Sequence, residues 1–308
     1  MAVFKKLGPL VHSFRPFQWL KNLSVFAAIL FTGKLLDPDL VSKTILAFII
    51  FCLLSSASYL INDIVDAPYD RLHPRKKYRP IAHGDLSQKT AAIAALFLIV
   101  LSFVLASPLN LGFLILMIAF LLRHLSYSFY LKKVVILDIL AISFSFILRT
   151  LGGEMATGYH LPIWLMFTVV FLSLFIASGK RLSELVSTGR KTRPSLGGYT
   201  ETLLNFYSSV FSVATLISYS LFAYLAEPPK FSHPRGVNFL VKNMPYLIGR
   251  KWLMITIFPI IFGIMRYSQL VFEKQRGERP EILLASDIPL LSVVVSWGLL
   301  LILVIYGL

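Results

Sequence analysis

Nine apolar runs, each close to twenty residues long, fix what this chain can fold into. They fall near 19–36, 41–61, 90–107, 109–130, 134–152, 162–179, 202–225, 252–272 and 287–307. A helix needs about 20 mostly apolar residues to cross the hydrocarbon core of a bilayer. Inside lipid every backbone N–H and C=O must find a partner within the protein, so only helices and closed barrels span. These runs are too long and too continuously apolar for barrel strands. The expected class is therefore all-α: a polytopic membrane protein, a nine-transmembrane-helix bundle, with residues 1–308 forming one integral-membrane domain. Composition agrees, because only 15% of residues are charged and mean hydropathy is +0.74, whereas soluble domains carry about 25% charge. The N-terminus does not read as a cleaved signal peptide. Arg15, Lys21 and Asn22 interrupt the first run, and no small-residue cleavage site follows.

Orientation follows from the placement of Lys and Arg. With a cytoplasmic N-terminus, the N-terminal segment and the four inner loops carry 22 of the 30 basic residues. The outer side holds seven (Lys34, Lys43, Lys230, Arg235, Lys242, Arg250 and Lys251), five of them in the single loop 226–251, and Arg149 lies within a span. The expected location is a bacterial inner (plasma) membrane with the polar face toward the cytoplasm. The same asymmetry accounts for the net charge of +15 without nucleic acid, for which no basic, aromatic-interleaved soluble module exists. Cys52 is alone and inside a span, which leaves no disulfide and no cysteine metal site.

Polar residues concentrate on that inner face, as they do where a helical bundle builds a site. The second-to-third connection reads NDIVDAPYDRLHPRKKYRPIAHG, Asn62 to Gly84. Asp63, Asp66 and Asp70 are spaced i, i+3, i+7, which lines three carboxylates along one face if the second helix continues past Ile61. Pro68 is expected to loosen the last turn. Carboxylates side by side against a low-dielectric wall repel one another, and a divalent cation relieves them. Oxygen-only ligation suits Mg²⁺, which binds through one or two carboxylates while substrate phosphates complete its shell. Arg71, Arg75, Lys76, Lys77 and Arg79 follow directly, and such cations pair with phosphate. Together the two halves read as a diphosphate–Mg²⁺ site. A solvated positive-inside loop would explain the basic residues but not the ordered aspartates.

Further candidates sit on the other inner segments. RPFQWLKN (15–22) opens the first span and contributes Lys21, and YSFYLKKVVILD (127–138) contributes Tyr127, Lys132, Lys133 and Asp138. SGKRLSELVSTGRKTRPSLGGYT (178–200) contributes Lys180, Arg181 and Glu184, followed by Arg190, Lys191 and Arg193. Lys180 and Glu184 are four apart and share a helix face, so an ordinary ion pair competes there with a phosphate site. Arg149 is deeper in its span, where a structural pairing, with Glu154 as candidate, weighs as much as a role in the site. The histidines show no HxxxH or HExxH spacing, so zinc is excluded. No Walker loop, GxGxxG after a strand or nucleophile-elbow serine is present.

Asn62-Asp63 with Asp66 and Asp70 resembles the NDxxDxxxD motif of the UbiA superfamily of intramembrane prenyltransferases. RPFQWLKN, DRLHPRKKYRPIAHG (70–84), the stretch from Tyr127 to Gly153, GKRLSEL (179–185) and GERPEILLASDIPLL (277–291) are similar to its decaprenyl-phosphate phosphoribosyltransferase branch, in order along nearly the whole chain. The resemblance implies a nine-helix bundle with a polar cytoplasmic cap over a lipid-lined cavity. One departure matters. Most aromatic prenyltransferases of the superfamily carry a second motif, DxxxD, between the sixth and seventh helices, whereas this chain has GKRLSEL with two cations and one carboxylate. A site with fewer carboxylates and more cations favours a donor carrying an additional phosphate, such as 5-phosphoribosyl-1-diphosphate.

The resulting expectation is Mg²⁺-dependent transfer of 5-phosphoribose to a decaprenyl-type polyprenyl phosphate, with release of diphosphate and inversion at C1, feeding arabinose donors for cell-envelope glycans. Asp63, Asp66 and Asp70, helped by Asn62, would hold the metal, with Asp63, Asp66, Lys21 and Lys180 the expected catalytic set. Lys21, the Arg71–Arg79 run, Lys180 and Arg181 would hold the two anions, and the membrane lipid would receive the prenyl tail. A homo-oligomer is compatible with such a bundle. Two rivals remain at this stage. One is prenyl transfer to an aromatic or glycerol-phosphate acceptor, which the missing DxxxD disfavours. The other is an anionic-lipid transporter, which should place polar groups at mid-membrane rather than at one face.

Overall fold

The computed structural model describes residues 2–72, 76–188, 194–226, 250–274 and 277–306, and these are helical or connecting, with no strand among them. In chain order the helices are α1 (Ala2–Phe14), a 3-10 stretch (Pro16–Phe26), α2 (Ala27–Phe31), α3 (Pro38–Asp70), α4 (Pro80–His83), α5 (Gln88–Leu105), α6 (Leu111–Phe129) and α7 (Leu137–Thr157). Then follow α8 (Ile163–Thr188), α9 (Glu201–Leu225), α10 (Ile257–Phe272), α11 (Pro280–Ser286) and α12 (Ile288–Tyr306). Eight of the described helical segments are long and apolar enough to cross a bilayer. The sequence led us to expect nine, and the difference lies at 19–36. There the chain starts as a 3-10 helix at Pro16 and reaches only five residues of α-helix in Ala27–Phe31. At about 2.0 Å per residue, the 11-residue 3-10 stretch covers about 22 Å, a length for which an α-helix needs about 15 residues.

The chain divides into two compact units, Met1–Ile29 with Leu35–Tyr159, and Leu30–Lys34 with His160–Leu308. In the first unit α3 is the central element, with 61% of its most apolar window buried against 22% for α5. Asp37 caps its start, accepting from the N–H groups of Asp39 and Leu40. Phe51 of α3 sits edge-on against Phe113 and Phe120 of α6, with ring centroids 5.9 and 5.1 Å apart. α7 reaches this core through Gly152 and Gly153. A side chain on Gly152 would strike the Phe51 ring, and one on Gly153 would strike the Val25 carbonyl of the 3-10 stretch. Close backbone approach is therefore what seats the 3-10 stretch against α7.

In the second unit α8 and α9 pack along each other, and α10 and α12 pair beside them. A buried hydrogen-bonded chain fixes their register: Trp297 Nε1 donates to the Tyr219 hydroxyl at 2.8 Å, which lies 2.6 Å from the Thr256 hydroxyl. Asp287 starts α12, accepting from the Leu290 N–H and from Arg266 at 3.0 and 2.8 Å. Those Arg266 hydrogen bonds hold the Asp287 carboxyl below its ordinary range.

Candidate active site

Helix α3 is 33 residues long, about 50 Å at 1.5 Å per residue, against a hydrocarbon core of about 30 Å. Its surplus length carries residues 62–70 out of the apolar layer as continuous helix. Pro68 does not loosen that end as expected. It lies on the exposed face beside exposed Tyr69, where its missing N–H strands nothing in the interior. Asp63 and Asp70, seven residues apart, consequently share a face, and both are buried.

Each aspartate faces a cation. Arg15 donates to Asp63 at 2.5 Å, and Arg79 reaches both Asp63 at 3.2 Å and Asp70 at 2.7 Å. Lys132 binds Asp66 at 2.5 Å and the Asn62 side-chain oxygen at 3.4 Å, while Asn62 donates to the other Asp66 oxygen at 3.0 Å. Burial works against the Arg15 charge, but Asp63 beside it prevails and holds the guanidinium pKa above its ordinary value. Arg15 also lies over the Tyr59 ring, 5.0 Å from its centre, and adopts a left-handed backbone (φ 55°) at the turn between α1 and the 3-10 stretch. A non-glycine residue held there costs about 1–3 kcal/mol, which the paired guanidinium offsets.

The other expected residues of this unit take varied places. Lys21 donates to Gln18 at 2.5 Å, and the Gln18 oxygen also accepts from Tyr59 at 3.4 Å, one turn before Asp63. Arg71 instead caps its own connection, donating to the Ala82 carbonyl at 3.2 Å, and Lys77 is exposed over the Tyr78 ring. Lys76 is half-buried and Lys133 exposed. Asp138 is fully buried at the start of α7, where it accepts from the Ile139 N–H. A carboxylate there is stabilised by the helix N-terminus. Tyr127 lies beneath Arg123, 5.9 Å from its guanidinium. Arg75, His73, Arg190, Lys191 and Arg193 lie outside the described residues, as does most of loop 226–251.

In the second unit Glu184 of the expected Lys180–Glu184 face also meets Arg181. Arg181, with no exposed surface, pairs with Glu184 one turn on. As placed, it braces Glu184 rather than facing solvent, while Lys180 is half-buried. Ser183 accepts from the Gly277 N–H at 2.9 Å and Ser187 donates to Glu278, so GKRLSEL and GERPE lock together. A side chain on Gly277 would collide with the Ser183 hydroxyl and approach the Gly179 carbonyl at 3.1 Å. That contact explains a glycine at the head of the second string. Arg149 is held by Asn22 at 2.5 Å and by the Ser145 carbonyl at 2.7 Å. Glu154, five residues along the same helix, points about 140° away from it. Arg15 stood in the RPFQWLKN string without being singled out, and only its own left-handed backbone, just before Pro16, brings it to Asp63.

No group of three His, Cys, Asp or Glu side chains among the described residues is close enough to cage a metal. The donor set nonetheless fits Mg²⁺, because hard oxygen ligands suit it and one or two carboxylates suffice when phosphate oxygens complete the shell. Such a site would bind a phosphate-borne metal, not a protein-caged one.

Bilayer-length helices, one of them overlong and carrying a cation-paired carboxylate row at its end, define an integral membrane protein. The chain belongs to the UbiA prenyltransferase family, whose model matches residues 22–233. Its fold is similar to that of a UbiA homolog from Archaeoglobus fulgidus bound to DMAPP and Mg²⁺, with a TM-score of 0.67 and 18% identity, covering 97% of this chain and 99% of that one. Among curated proteins it is 36% identical over 282 residues to the decaprenyl-phosphate phosphoribosyltransferase of Mycolicibacterium smegmatis, covering 89% of this chain and 86% of that protein. It is 32% identical over 304 residues to the enzyme of the same name from Corynebacterium glutamicum, covering 96% and 86%.

Proposed function

We propose that this protein transfers 5-phosphoribose from 5-phosphoribosyl-1-diphosphate to a polyprenyl phosphate of decaprenyl type, releasing diphosphate. The observation that carries the reading is the α3 carboxylate row with Arg15, Arg79 and Lys132 already paired to it, supported by similarity to the two phosphoribosyltransferases over most of the chain. Asp63, Asp66 and Asp70 would hold Mg²⁺ on the donor diphosphate, where the metal supplies charge neutralisation for the leaving group. Arg15 and Arg79 position Asp63, Arg79 also positions Asp70, and both guanidiniums are forks suited to phosphate oxygens. Lys132 orients Asp66 and Asn62. Lys180 would bind a phosphate oxygen. An oxygen of the acceptor phosphate attacks C1 of the ribose while the C1–O bond to diphosphate breaks, and the electron pair leaves with diphosphate. The acceptor is already an anion, so no general base is required. The protein works in a bacterial inner membrane with this site on the cytoplasmic side, and its product feeds arabinose donors for envelope glycans.

Purified protein assayed with radiolabelled phosphoribosyl diphosphate and polyprenyl phosphate tests this reading. Turnover should require Mg²⁺ and vanish with chelator. Asp63→Asn and Asp66→Asn should each lower it about 10²–10³-fold, the scale of losing one electrostatic contact to a developing charge, while both variants keep the wild-type elution profile. Near-normal turnover in either variant contradicts the metal role.

A further inference from the structure

Two arginines in the first unit remain once the carboxylate row is accounted for. Arg123 of α6 and Arg149 of α7 are 8% and 2% exposed, and among the described residues neither has a carboxylate within ion-pair distance. Arg149 is fixed by neutral partners only: Asn22 at 2.5 Å, the Ser145 carbonyl at 2.7 Å and side chain, and Ser55 at 3.4 Å. Arg123 donates to His124 Nε2, and its own Nε–H has no partner. The two guanidiniums share one aromatic ring, lying 4.9 and 5.8 Å from the centre of Phe120. Two buried like charges with no counter-charge are costly in a membrane protein, where such groups lie on ligand paths or pair with an opposite charge.

Their depth says which anion they suit. Ser55, which Arg149 touches, precedes Asp63 by eight residues of α3, about 12 Å along the helix. Polar contacts step between those levels, with Trp19 bonded to Ser56 at 3.1 Å and Gln18 to Tyr59 at 3.4 Å. A water-soluble, metal-bearing diphosphate meets carboxylates first, at the outer end of this ladder. A carboxylate-free cation pair deeper in the helical layer instead suits a phosphate that is bare of metal and arrives from the lipid.

We propose that Arg123 and Arg149 bind the phosphate monoester headgroup of the lipid acceptor, at a subsite separate from the carboxylate row. Arg123 supplies the unspent N–H, and Arg149, fixed by its three neutral partners, supplies charge. The assignment rests on the reaction proposed above and adds where the acceptor is held.

The test uses the full chain in nanodiscs and compares equilibrium binding of a polyprenyl phosphate with that of the same polyprenol, alongside binding of phosphoribosyl diphosphate. Wild type should prefer the phosphate. Arg123→Met should cut that preference roughly tenfold to hundredfold, the range expected for a lost charge-assisted hydrogen bond. Arg123→Lys should restore part of it, Arg149→Lys should keep it, and donor binding should be unchanged throughout. Arg123 has a single hydrogen-bond partner, so its removal strands little, and Arg123→Gln replaces the methionine variant if that one fails to fold. Undiminished preference in the folded neutral variant overturns the assignment, as does an equal loss of donor binding. Millimolar inorganic phosphate should not displace the lipid; displacement that disappears in Arg123→Met places a free anion there and also overturns it. Headgroup preference lost in the variant, with no phosphoribosyl transfer by wild type, supports the subsite and contradicts the reaction.

Discussion

Lys180 and Arg181 are neighbours in sequence with separate physical roles. Arg181 has no exposed surface and holds Glu184, whose side chain is 19% exposed. Removing one partner of a buried pair leaves the other uncompensated. Arg181→Ala should therefore cost about 3 kcal/mol, the low end for such pairs because Glu184 still touches water. The readout is the thermal midpoint in detergent, and a variant as stable as wild type would return Arg181 to the list of phosphate ligands. Lys180→Ala should raise the KM for phosphoribosyl diphosphate about tenfold to hundredfold; an unchanged KM removes Lys180 from the residues proposed to bind phosphate. Sequence spacing predicted that a helix face here would hold both signs of charge. It could not choose between i+3 and i+4 partners, because both neighbour a residue on a helix and packing decides which is enclosed.

At the scale of elements, bilayer-length helices were legible in apolar run lengths and the shared aspartate face in i, i+3, i+7 spacing, but the unbroken passage of α3 through Pro68 to Asp70 was not. The 19–36 segment was legible only as apolar. Nothing in its composition marks 3-10 winding, which follows from Pro16, the left-handed Arg15 before it and the groove that α7 opens at Gly152 and Gly153. Gly153→Ala drives a methyl group into the Val25 carbonyl, so the 3-10 stretch must move. The expected cost is about 1–3 kcal/mol, read as a lower thermal midpoint, with reduced turnover because Arg15 and Lys21 shift with that stretch. Gly298→Ala, with open space around the added methyl, is the matched control and should be neutral. Equal midpoints for the two variants would contradict the close packing of α7 on the 3-10 stretch.

Across the whole molecule, function was legible where chemistry depends on residue type and order: the aspartates, the cations after them and the missing second DxxxD. It was not legible where partners come from distant segments. Arg15 meets Asp63 across 48 residues, Lys132 meets Asp66 across 66, and Asn22 meets Arg149 across 127. No local pattern announces such pairs. The central claim concerns the donor, since one family fold serves prenyl and phosphoribosyl transfer alike. Its most direct test is turnover by wild type at fixed Mg²⁺, with polyprenyl phosphate and 4-hydroxybenzoate as alternative acceptors, comparing radiolabelled phosphoribosyl diphosphate with geranyl and farnesyl diphosphate. The account predicts phosphoribosyl transfer to the lipid phosphate and no product from either prenyl diphosphate. Efficient prenyl transfer, or failure to use phosphoribosyl diphosphate, would contradict it.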